Sequence, residues 1–291
     1  MERNDLGVVP RGGGAGSVAS GCRVRLLLPR ELRAGCESAC KAERGYPTIV
    51  IMPAIDLLVL HLLNQFAHRS RLLDTVVVIM ANANLLKGVV LMAILWGLWF
   101  HQTEGTTGGR TEPSERRARL IACCGVAILA VLIARLLAHV LPYRERPLHT
   151  SGIGYILPYT MEPQALIHWS SFPSDHAVLF FSLATGIYQV SRRCGVLALA
   201  HALVFIALPR LYLGIHWFTD ILAGTALGIV LAWVGMRSRL MVGLKRSLDA
   251  LIGRHPAVCY AAFFVLTYLI ATLFDDARYI GSVLVHYLMG R

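Results

Sequence analysis

The sequence predicts an all-α fold, a polytopic membrane bundle of about six transmembrane helices with an amphipathic N-terminal helix. Its residues are 56% hydrophobic and only 15% charged, whereas the surface of a soluble domain of this size needs more charge. Several apolar stretches approach the roughly 20 residues that cross a hydrocarbon core of about 30 Å. Basic residues lie mainly in the gaps between these stretches. Together these observations favour a chain embedded in a bilayer.

The net charge of +11 is compatible with binding to nucleic acid. A domain of that kind clusters its arginines along one soluble face, whereas here the arginines separate apolar stretches. Membrane topology explains this distribution, because basic residues accumulate in cytoplasmic connections. We therefore expect a membrane environment and no nucleic-acid partner. We expect neither a disulfide framework nor a metal site among the seven cysteines.

Composition divides the chain into three parts. Residues 1–46 carry a Gly-rich patch, mixed charge and no sustained period, so we expect a disordered N-terminal extension. Met52 opens the first well-patterned segment, and one hypothesis is that translation begins there. Residues 47–240 form the predicted membrane core, and residues 241–291 form a C-terminal membrane segment.

Hydropathy predicts one short helix and then six spans. From Ile55 to Phe66 polar side chains interrupt the apolar residues, which favours an amphipathic helix at the interface. A weak spanning helix that begins near Pro47 is the alternative. The spans cover about residues 76–100, 119–141, 175–191, 195–209, 213–235 and 257–274. A last apolar stretch, from Tyr279 to Met289, is too short to span comfortably.

The connections between the spans fall into two groups. One group is rich in arginine and lysine, including Arg116, Arg192 and Arg237, and the positive-inside rule places it in the cytoplasm. The other group comprises the stretch from Pro142 to Phe172 and a short turn near Pro209 to Tyr212. Counting helices places this second group on the extracytoplasmic side.

Three polar fragments fall in the second group or at its edges. They are RERP at Arg144 to Pro147, FPSDH at Phe172 to His176, and PRLYLGIHWFTD from Pro209 to Asp220. Each lies at the predicted extracytoplasmic end of a helix. Ionisable groups are costly at membrane depth, so their gathering at one face indicates a functional site.

The third fragment contains a candidate nucleophile. His216 and Asp220 are four residues apart, which places them on one face if the segment is helical. Asp220 can then hold one imidazole nitrogen and leave the other free to attack phosphorus. Arg210 precedes His216 by six residues, and its guanidinium suits phosphoryl oxygens. Such a histidine–aspartate spacing also occurs by chance in many helices, so the pair alone is weak evidence.

The second fragment offers an acid–base group at the start of a helix. A helix N-terminus attracts anions, and His176 could protonate a leaving oxygen and later activate water. Ser174 could simply cap the helix, and the arginines of RERP could be interfacial. The order of the three fragments, all on one face of the bundle, favours a phosphate site over these readings.

The order and spacing of the fragments resemble the type-2 phosphatidic-acid phosphatase superfamily, whose pattern is K-x6-R-P, then P-S-G-H, then S-R-x5-H-x3-D. The resemblance covers the core from about Leu58 to Val234. It implies a metal-independent membrane phosphatase with no cofactor and a covalent phosphohistidine intermediate. The roles that it implies are phosphate binding by Arg146 and Arg210 with help from Ser174, acid catalysis by His176, nucleophilic attack by His216 and support of His216 by Asp220.

Three positions depart from the family pattern. His139 stands where the pattern has lysine, Asp175 where it has the glycine of P-S-G-H, and Pro209 where it has serine. P-S-D-H resembles many bacterial members, so we expect Asp175 to be harmless. Pro209 offers no side-chain donor, so one phosphate contact is expected to be missing.

The change at His139 removes one expected cation. We predict that Arg144 binds phosphate in its place, with Arg135 as the weaker candidate. Lys87 falls within a predicted span and could extend toward the active face.

Within the family, the amphipathic start, PSDH and the compact core most resemble undecaprenyl-diphosphate phosphatases, which implies a role in recycling this cell-wall lipid carrier. Phosphatidic acid and phosphatidylglycerophosphate are rival substrates, because the site residues read only the phosphate. A lipid phosphotransferase uses the same residues, and a membrane transporter or lipid-binding protein is the non-enzymatic alternative. The resemblance implies a bacterial inner-membrane protein whose active site faces the periplasm.

Overall fold

The computed structural model describes residues 53–101, 113–159, 161–162, 166, 169–237, 247 and 251–275. Every described residue belongs to the unit from Val50 to Arg291. The predicted disordered extension, the hypothesis of a start at Met52 and the apolar stretch from Tyr279 to Met289 lie outside the described residues.

Every regular element in these ranges is helical, which confirms the all-α prediction. The helices are α1 (Ala54–Asn64), α2 (Arg71–Asn82), α3 (Val90–Phe100), α4 (Pro113–Val140), α5 (Asp175–Val190), α6 (Arg192–His201), α7 (Leu208–Tyr212), α8 (Phe218–Gly235) and α9 (Pro256–Ala271). Leu85–Val89 and Ala202–Ala207 are π-helical turns that lead into α3 and α7, and Pro147–His149 is a 3-10 turn.

Three helices of the described part are long and apolar enough to cross a membrane: Glu115–Val140, Arg192–Tyr212 and Phe218–Gly235. Arg71–Asn82 and Leu85–Phe100 add a fourth if this pair, which is bent by 67°, forms one broken span. Helices α5 and α9 contain 16 residues each. Length and composition thus support three or four spans, and the total of about six stays a prediction.

Helix α5 is buried from Ala177 to Ile187, and α4, α6 and α8 pack around it. Two glycines of α8 allow this helix to lie close to α5. A Cβ on Gly224 would lie 2.7 Å from the carbonyl oxygen of Ser174, and a Cβ on Gly228 would lie 2.5 Å from that of Val178. Small residues at this spacing let membrane helices approach one another closely. Helix α8 therefore packs tightly against the start of α5, where the second polar fragment lies.

Two local predictions about the third fragment are wrong. The segment from Pro209 to Tyr212 is not a turn, because it forms most of α7. Helix α7 continues the helix that begins at Arg192, so Pro209 cannot donate to the carbonyl of Phe205 one turn before it; that carbonyl accepts instead from the guanidinium of Arg210 at 3.3 Å. The chain turns instead at Gly214, whose φ is +61°. His216 therefore lies in the loop before α8 and does not share a helix face with Asp220.

Helix α1 docks on the bundle through polar side chains. Asp56 and Asn64 are buried, whereas Leu58 and Leu62 are exposed. The Asp56 carboxylate accepts hydrogen bonds from the backbone N–H and the hydroxyl of Thr219, both at 2.8 Å. The outward leucines suit a helix that contacts lipid, and its position at the membrane interface stays a prediction.

Candidate active site

A cavity of about 330 Å³ lies where the ends of several helices meet the polar loops. His176 and His216, which come from different fragments, both line it. The other described residues that line it are Ala81, Asn82, Lys87, Arg146, Leu166, Trp169, Asp175, Arg210, Ile215, Leu273 and Asp275. The fold thus brings both predicted imidazoles and two of the predicted guanidiniums to one cavity.

Backbone hydrogen bonds fasten the three polar fragments to one another. Each bond links the backbone of one fragment, or of a residue next to it, to the backbone of another fragment. The bonds run from Leu148 to Gly214 at 3.0 Å, from Ser171 to Arg144 at 2.8 Å, and from Ser174 to Asp220 at 3.3 Å. Because backbone atoms make these bonds, the relative positions of the fragments do not depend on flexible side chains.

Backbone carbonyls hold Arg146 against one wall of the cavity. Its Nε donates to Trp169 at 3.2 Å, its Nη1 to Ile215 at 2.6 Å and its Nη2 to Ser170 at 3.1 Å. The Nη1 atom also lies 3.3 Å from Nε2 of His216. Burial lowers the pKa of Arg146 from its ordinary value, yet an arginine remains protonated in proteins. A fixed cation therefore lies beside the imidazole of His216.

The surroundings of His216 select its tautomer. Its Nδ1 lies 2.8 Å from the carbonyl oxygen of Ser171. Because a carbonyl only accepts hydrogen bonds, the proton of the neutral ring is on Nδ1, and Nε2 carries the lone pair. Burial is the main cause that lowers the pKa of His216, which favours this neutral form. The ring therefore presents a nucleophilic nitrogen to the cavity wall that Arg146 occupies.

The predicted pairing of His216 with Asp220 takes a different form. The Asp220 carboxylate is 3.8 Å from Nδ1 of His216, too far for a good hydrogen bond. It accepts instead from the hydroxyl of Ser171, from the N–H of Trp217 at 2.8 Å and from the guanidinium of Arg144. Asp220 thus supports the imidazole through its charge and through the ordering of Ser171.

Arg144 does not occupy the position expected of a phosphate ligand. Its guanidinium pairs with Asp220 and with Asp56, the latter at 2.6 Å, and it donates to the hydroxyl of Thr219 at 2.8 Å. Among the described residues that line the cavity, Arg144 does not appear. The structure thus places this arginine behind the cavity wall, where it orders Asp220.

His176 lies in the first turn of α5, as predicted. Its Nδ1 is 2.9 Å from Oδ1 of Asp175, and Arg135 is 3.1 Å from Oδ2 of the same carboxylate. Asp175, which we expected to be harmless, is therefore a contact of the motif histidine and part of the cavity wall. The sequence signal that could have identified it is the carboxylate directly before that histidine.

Ser174 and Arg210 occupy different environments. Ser174 is the buried N-cap of α5, its Oγ accepts from the N–H of Ala177 at 3.4 Å, and it is not among the described lining residues. Arg210 lines the cavity and donates to the carbonyls of Phe205 at 3.3 Å and Ala81 at 3.2 Å. A guanidinium has more donors than these two contacts use, so Arg210 can also bind an anion.

Lys87 is a further cation of the cavity, and it lies outside the three fragments. It is buried within the π-helical turn Leu85–Val89. A Cβ on the neighbouring Gly88 would collide with the backbone of Ala271, so this turn is packed closely against the end of α9. The structure places Lys87 in this cavity, in line with the expectation that it could extend toward the active face, although helical periodicity did not reveal the π-helical turn that carries it. His139, at the family's lysine position, is exposed.

The family model of the PAP2 superfamily matches residues 119–243. This segment contains all three polar fragments and helices α5 to α8. Over this segment the chain is similar to the PAP2 superfamily. Two residues of the site lie outside the matched residues 119–243, here called the PAP2 segment. Lys87 lines the cavity, and Asp56 pairs with Arg144 behind the cavity wall. Together with the apolar helices, the match to the PAP2 superfamily indicates an integral membrane protein.

Three bacterial proteins are similar in sequence to this chain. "Putative undecaprenyl-diphosphatase YbjG" of Escherichia coli (strain K12) is 27% identical over 170 residues, 56% of this chain and 75% of YbjG. The lipid A 1-diphosphate synthase of the same organism is 36% identical over 84 residues, 27% of this chain and 35% of that protein. The bacitracin transport permease protein BcrC of Bacillus licheniformis is 38% identical over 63 residues, 22% of this chain and 30% of that protein.

The similarity to these relatives is partial, since the matched region spans about a third of the length of BcrC and of the synthase. Among solved structures, Aquifex aeolicus LpxE matches with 20% identity and a TM-score of 0.45, covering 65% of this chain and 99% of that chain.

Proposed function

We propose that this protein hydrolyses a lipid phosphate or diphosphate through a covalent phosphohistidine at His216. The observation that carries the proposal is the geometry of that residue. Its Nδ1 is bound to the carbonyl of Ser171, and its Nε2 lies 3.3 Å from Arg146 at the cavity wall. An imidazole with one nitrogen fixed and the other beside a guanidinium is suited to attack an anionic phosphoryl group.

In the first step, Nε2 of His216 attacks phosphorus and a P–N bond forms while the P–O bond to the leaving group breaks. His176 gives its proton to the leaving oxygen. The phosphorylated imidazole is cationic and keeps its proton on Nδ1, toward Ser171. The buried carboxylate of Asp220, 3.8 Å from that nitrogen, offsets the new positive charge.

In the second step, His176 takes a proton from water, and the resulting hydroxide attacks the phosphohistidine. The P–N bond breaks, Nε2 recovers its lone pair and inorganic phosphate leaves. Both steps use the same two imidazoles, and they line the same cavity.

Three cations of the cavity bind the phosphoryl oxygens in this proposal: Arg146, Arg210 and Lys87. Lys87 takes the place of the cation that is missing at His139. Ser174 assists through the N-terminus of α5, which it caps. Arg144 acts on the phosphoryl group only indirectly, through Asp220, because its guanidinium is paired with Asp56 and Asp220.

The proposed reaction needs no metal ion. Fixed guanidinium and ammonium groups stabilise the charge on the transferred phosphoryl group, and an imidazole supplies the nucleophile without a metal-bound water. Phosphate release should therefore be unchanged after dialysis against EDTA. Loss of activity that Mg²⁺ or Zn²⁺ restores would contradict this part of the proposal.

Undecaprenyl diphosphate is the substrate that we propose first, because YbjG, which carries the name "Putative undecaprenyl-diphosphatase", aligns over 56% of this chain. Phosphatidic acid and phosphatidylglycerophosphate are alternatives, since the cavity residues recognise the phosphate alone. We also propose that about six helices span a bacterial inner membrane, with α1 at its interface and the cavity facing the periplasm. A membrane-impermeant thiol reagent applied to single-cysteine variants at positions 143 and 237 tests this orientation.

A second candidate is a phosphotransferase, which the description of one relative as a lipid A 1-diphosphate synthase favours. In that case a lipid hydroxyl or phosphate, not water, takes the phosphoryl group from His216. Purified protein incubated with terminally labelled undecaprenyl diphosphate separates the two reactions. Labelled inorganic phosphate supports hydrolysis, and label on a second lipid supports transfer.

The experiment that tests the proposal is phosphate release from a panel of lipid phosphates, measured for the wild type and for His216→Ala. We expect the substitution to abolish release at normal expression, while His255→Ala, at an exposed position just before α9, leaves it unchanged. Unchanged release by His216→Ala would refute the enzyme proposed here. Absence of release by the wild type on every lipid would favour a transporter or lipid-binding protein, a role compatible with the name of BcrC.

A further inference from the structure

The carboxylate of Asp175 lies between two basic side chains that belong to different helices. Its Oδ1 is 2.9 Å from Nδ1 of His176 and accepts the backbone N–H of the same residue at 2.8 Å. Its Oδ2 is 3.1 Å from Nη2 of Arg135 in α4. Both carboxylate oxygens are therefore engaged, and the plane of the carboxylate is fixed.

This arrangement determines which nitrogen of His176 can exchange a proton. A carboxylate only accepts, so Nδ1 of His176 keeps its proton in both ring charge states. Proton exchange with a ligand is then left to Nε2. To act as an acid, the imidazole of His176 must first be protonated and cationic. The neighbouring cations Arg146, Arg210 and Lys87, which line the same cavity, oppose this additional positive charge. The negative charge of Asp175 directly beside the ring favours this cationic form.

We infer that Asp175 is a positioning residue for His176, and that Arg135 holds Asp175 in place, so that Nε2 of His176 protonates the leaving oxygen. The inference rests on the proposed phosphatase reaction. It gives a function to Asp175, which stands at the glycine position of P-S-G-H in this chain. It also gives a function to Arg135, which is not among the described residues that line the cavity.

Leaving groups of different basicity test the inference. Release of an alkyl alcohol from dioctanoyl phosphatidic acid needs a proton on the leaving oxygen, whereas release of p-nitrophenolate from p-nitrophenyl phosphate does not. General acid catalysis contributes about 10²- to 10⁴-fold, so we expect Asp175→Gly to lower kcat/KM for phosphatidic acid at least about tenfold. For p-nitrophenyl phosphate the expected change is less than about threefold, because that reaction does not use the acid.

The variants Asp175→Asn and Arg135→Met refine the test. Asparagine keeps an oxygen that can accept from Nδ1, so Asp175→Asn should retain more activity on phosphatidic acid than Asp175→Gly. Arg135→Met should give a smaller loss with the same dependence on the leaving group. Glu115→Gln, a carboxylate-to-amide change at the far end of α4, is the matched control and should alter neither substrate.

Equal losses on both substrates would mean that Asp175 only maintains the fold, and unchanged kinetics on both would mean that it has no role; either result overturns the inference. His176→Ala and His216→Ala separate this failure from failure of the proposed function. If His216→Ala is inactive and His176→Ala shows the dependence on the leaving group, the phosphatase proposal stands and only the role of Asp175 is lost. If His216→Ala remains active, the proposed function itself fails.

Discussion

The carboxylate of Asp56 in α1 lies 2.6 Å from the guanidinium of Arg144, which in turn contacts Asp220 behind the cavity. A helix outside the PAP2 segment is thereby connected to the carboxylate that supports His216. Asp56 and Asp220 are fully buried, and Arg144 gives both carboxylates an ion-pair partner, although its single positive charge offsets only one of the two negative charges.

Asp56→Ala should destabilise the protein and lower its activity. Arg144 keeps Asp220 as its partner in this variant, so the loss comes mainly from the N–H and hydroxyl of Thr219, which lose their acceptor. A buried donor left without an acceptor costs about 1–3 kcal/mol. Thermal unfolding in detergent measures the change. A double-mutant cycle with Arg144→Met should be strongly non-additive, and additive losses would show that the pair is not coupled.

Gly228→Ala should disturb the packing of α8 on α5. The added methyl group would meet the carbonyl of Val178 at 2.5 Å, so the helices must separate, at a cost of about 1–3 kcal/mol. Gly125→Ala in α4 is the control, because no heavy atom lies within 4 Å of its Cβ position. Equal unfolding temperatures for the two variants would contradict the close approach of these helices.

Lys87→Met should weaken the binding of phosphate. Hydrogen bonds to charged groups contribute about 1.5–3 kcal/mol, so the inhibition constant of inorganic phosphate should rise about tenfold or more. Lys87→Arg keeps the charge and should lose less. Arg192→Met, which removes an exposed cation at the start of α6, should not change the constant. An unchanged constant in Lys87→Met would remove this lysine from the phosphate site.

The acid limb of the pH profile should report His216. Burial lowers its pKa below the ordinary 6.5, and only the neutral ring can attack phosphorus. As the pH falls to 6.5, His216 therefore stays mainly neutral, and activity is lost only at a pH below 6.5. The measurement is kcat/KM against pH, corrected for ionisation of the substrate. A corrected acid limb above 6.5 would conflict with the buried position of His216.

The sequence was sufficient to predict that His176, His216, Arg146 and Arg210 lie together, because their motifs follow the order and spacing of the family pattern, whereas their roles stay predictions. It misplaced Arg144, because the partner that holds it, Asp56, lies far away in the chain and outside the motifs. The helical spacing of His216 and Asp220 was also misleading. The turn at Gly214 leaves His216 in a loop, and a backbone carbonyl, which no side-chain pattern reveals, orients its ring.

Capture of the covalent intermediate tests the central claim most directly. The protein is mixed with a lipid diphosphate that carries ³²P in its terminal phosphate, quenched in alkali to preserve phosphohistidine, and digested into peptides. We predict acid-labile label on the peptide that contains His216, and none in the His216→Ala protein. Rapid phosphate release without labelled protein, or label on the peptide that contains His176, would contradict the claim.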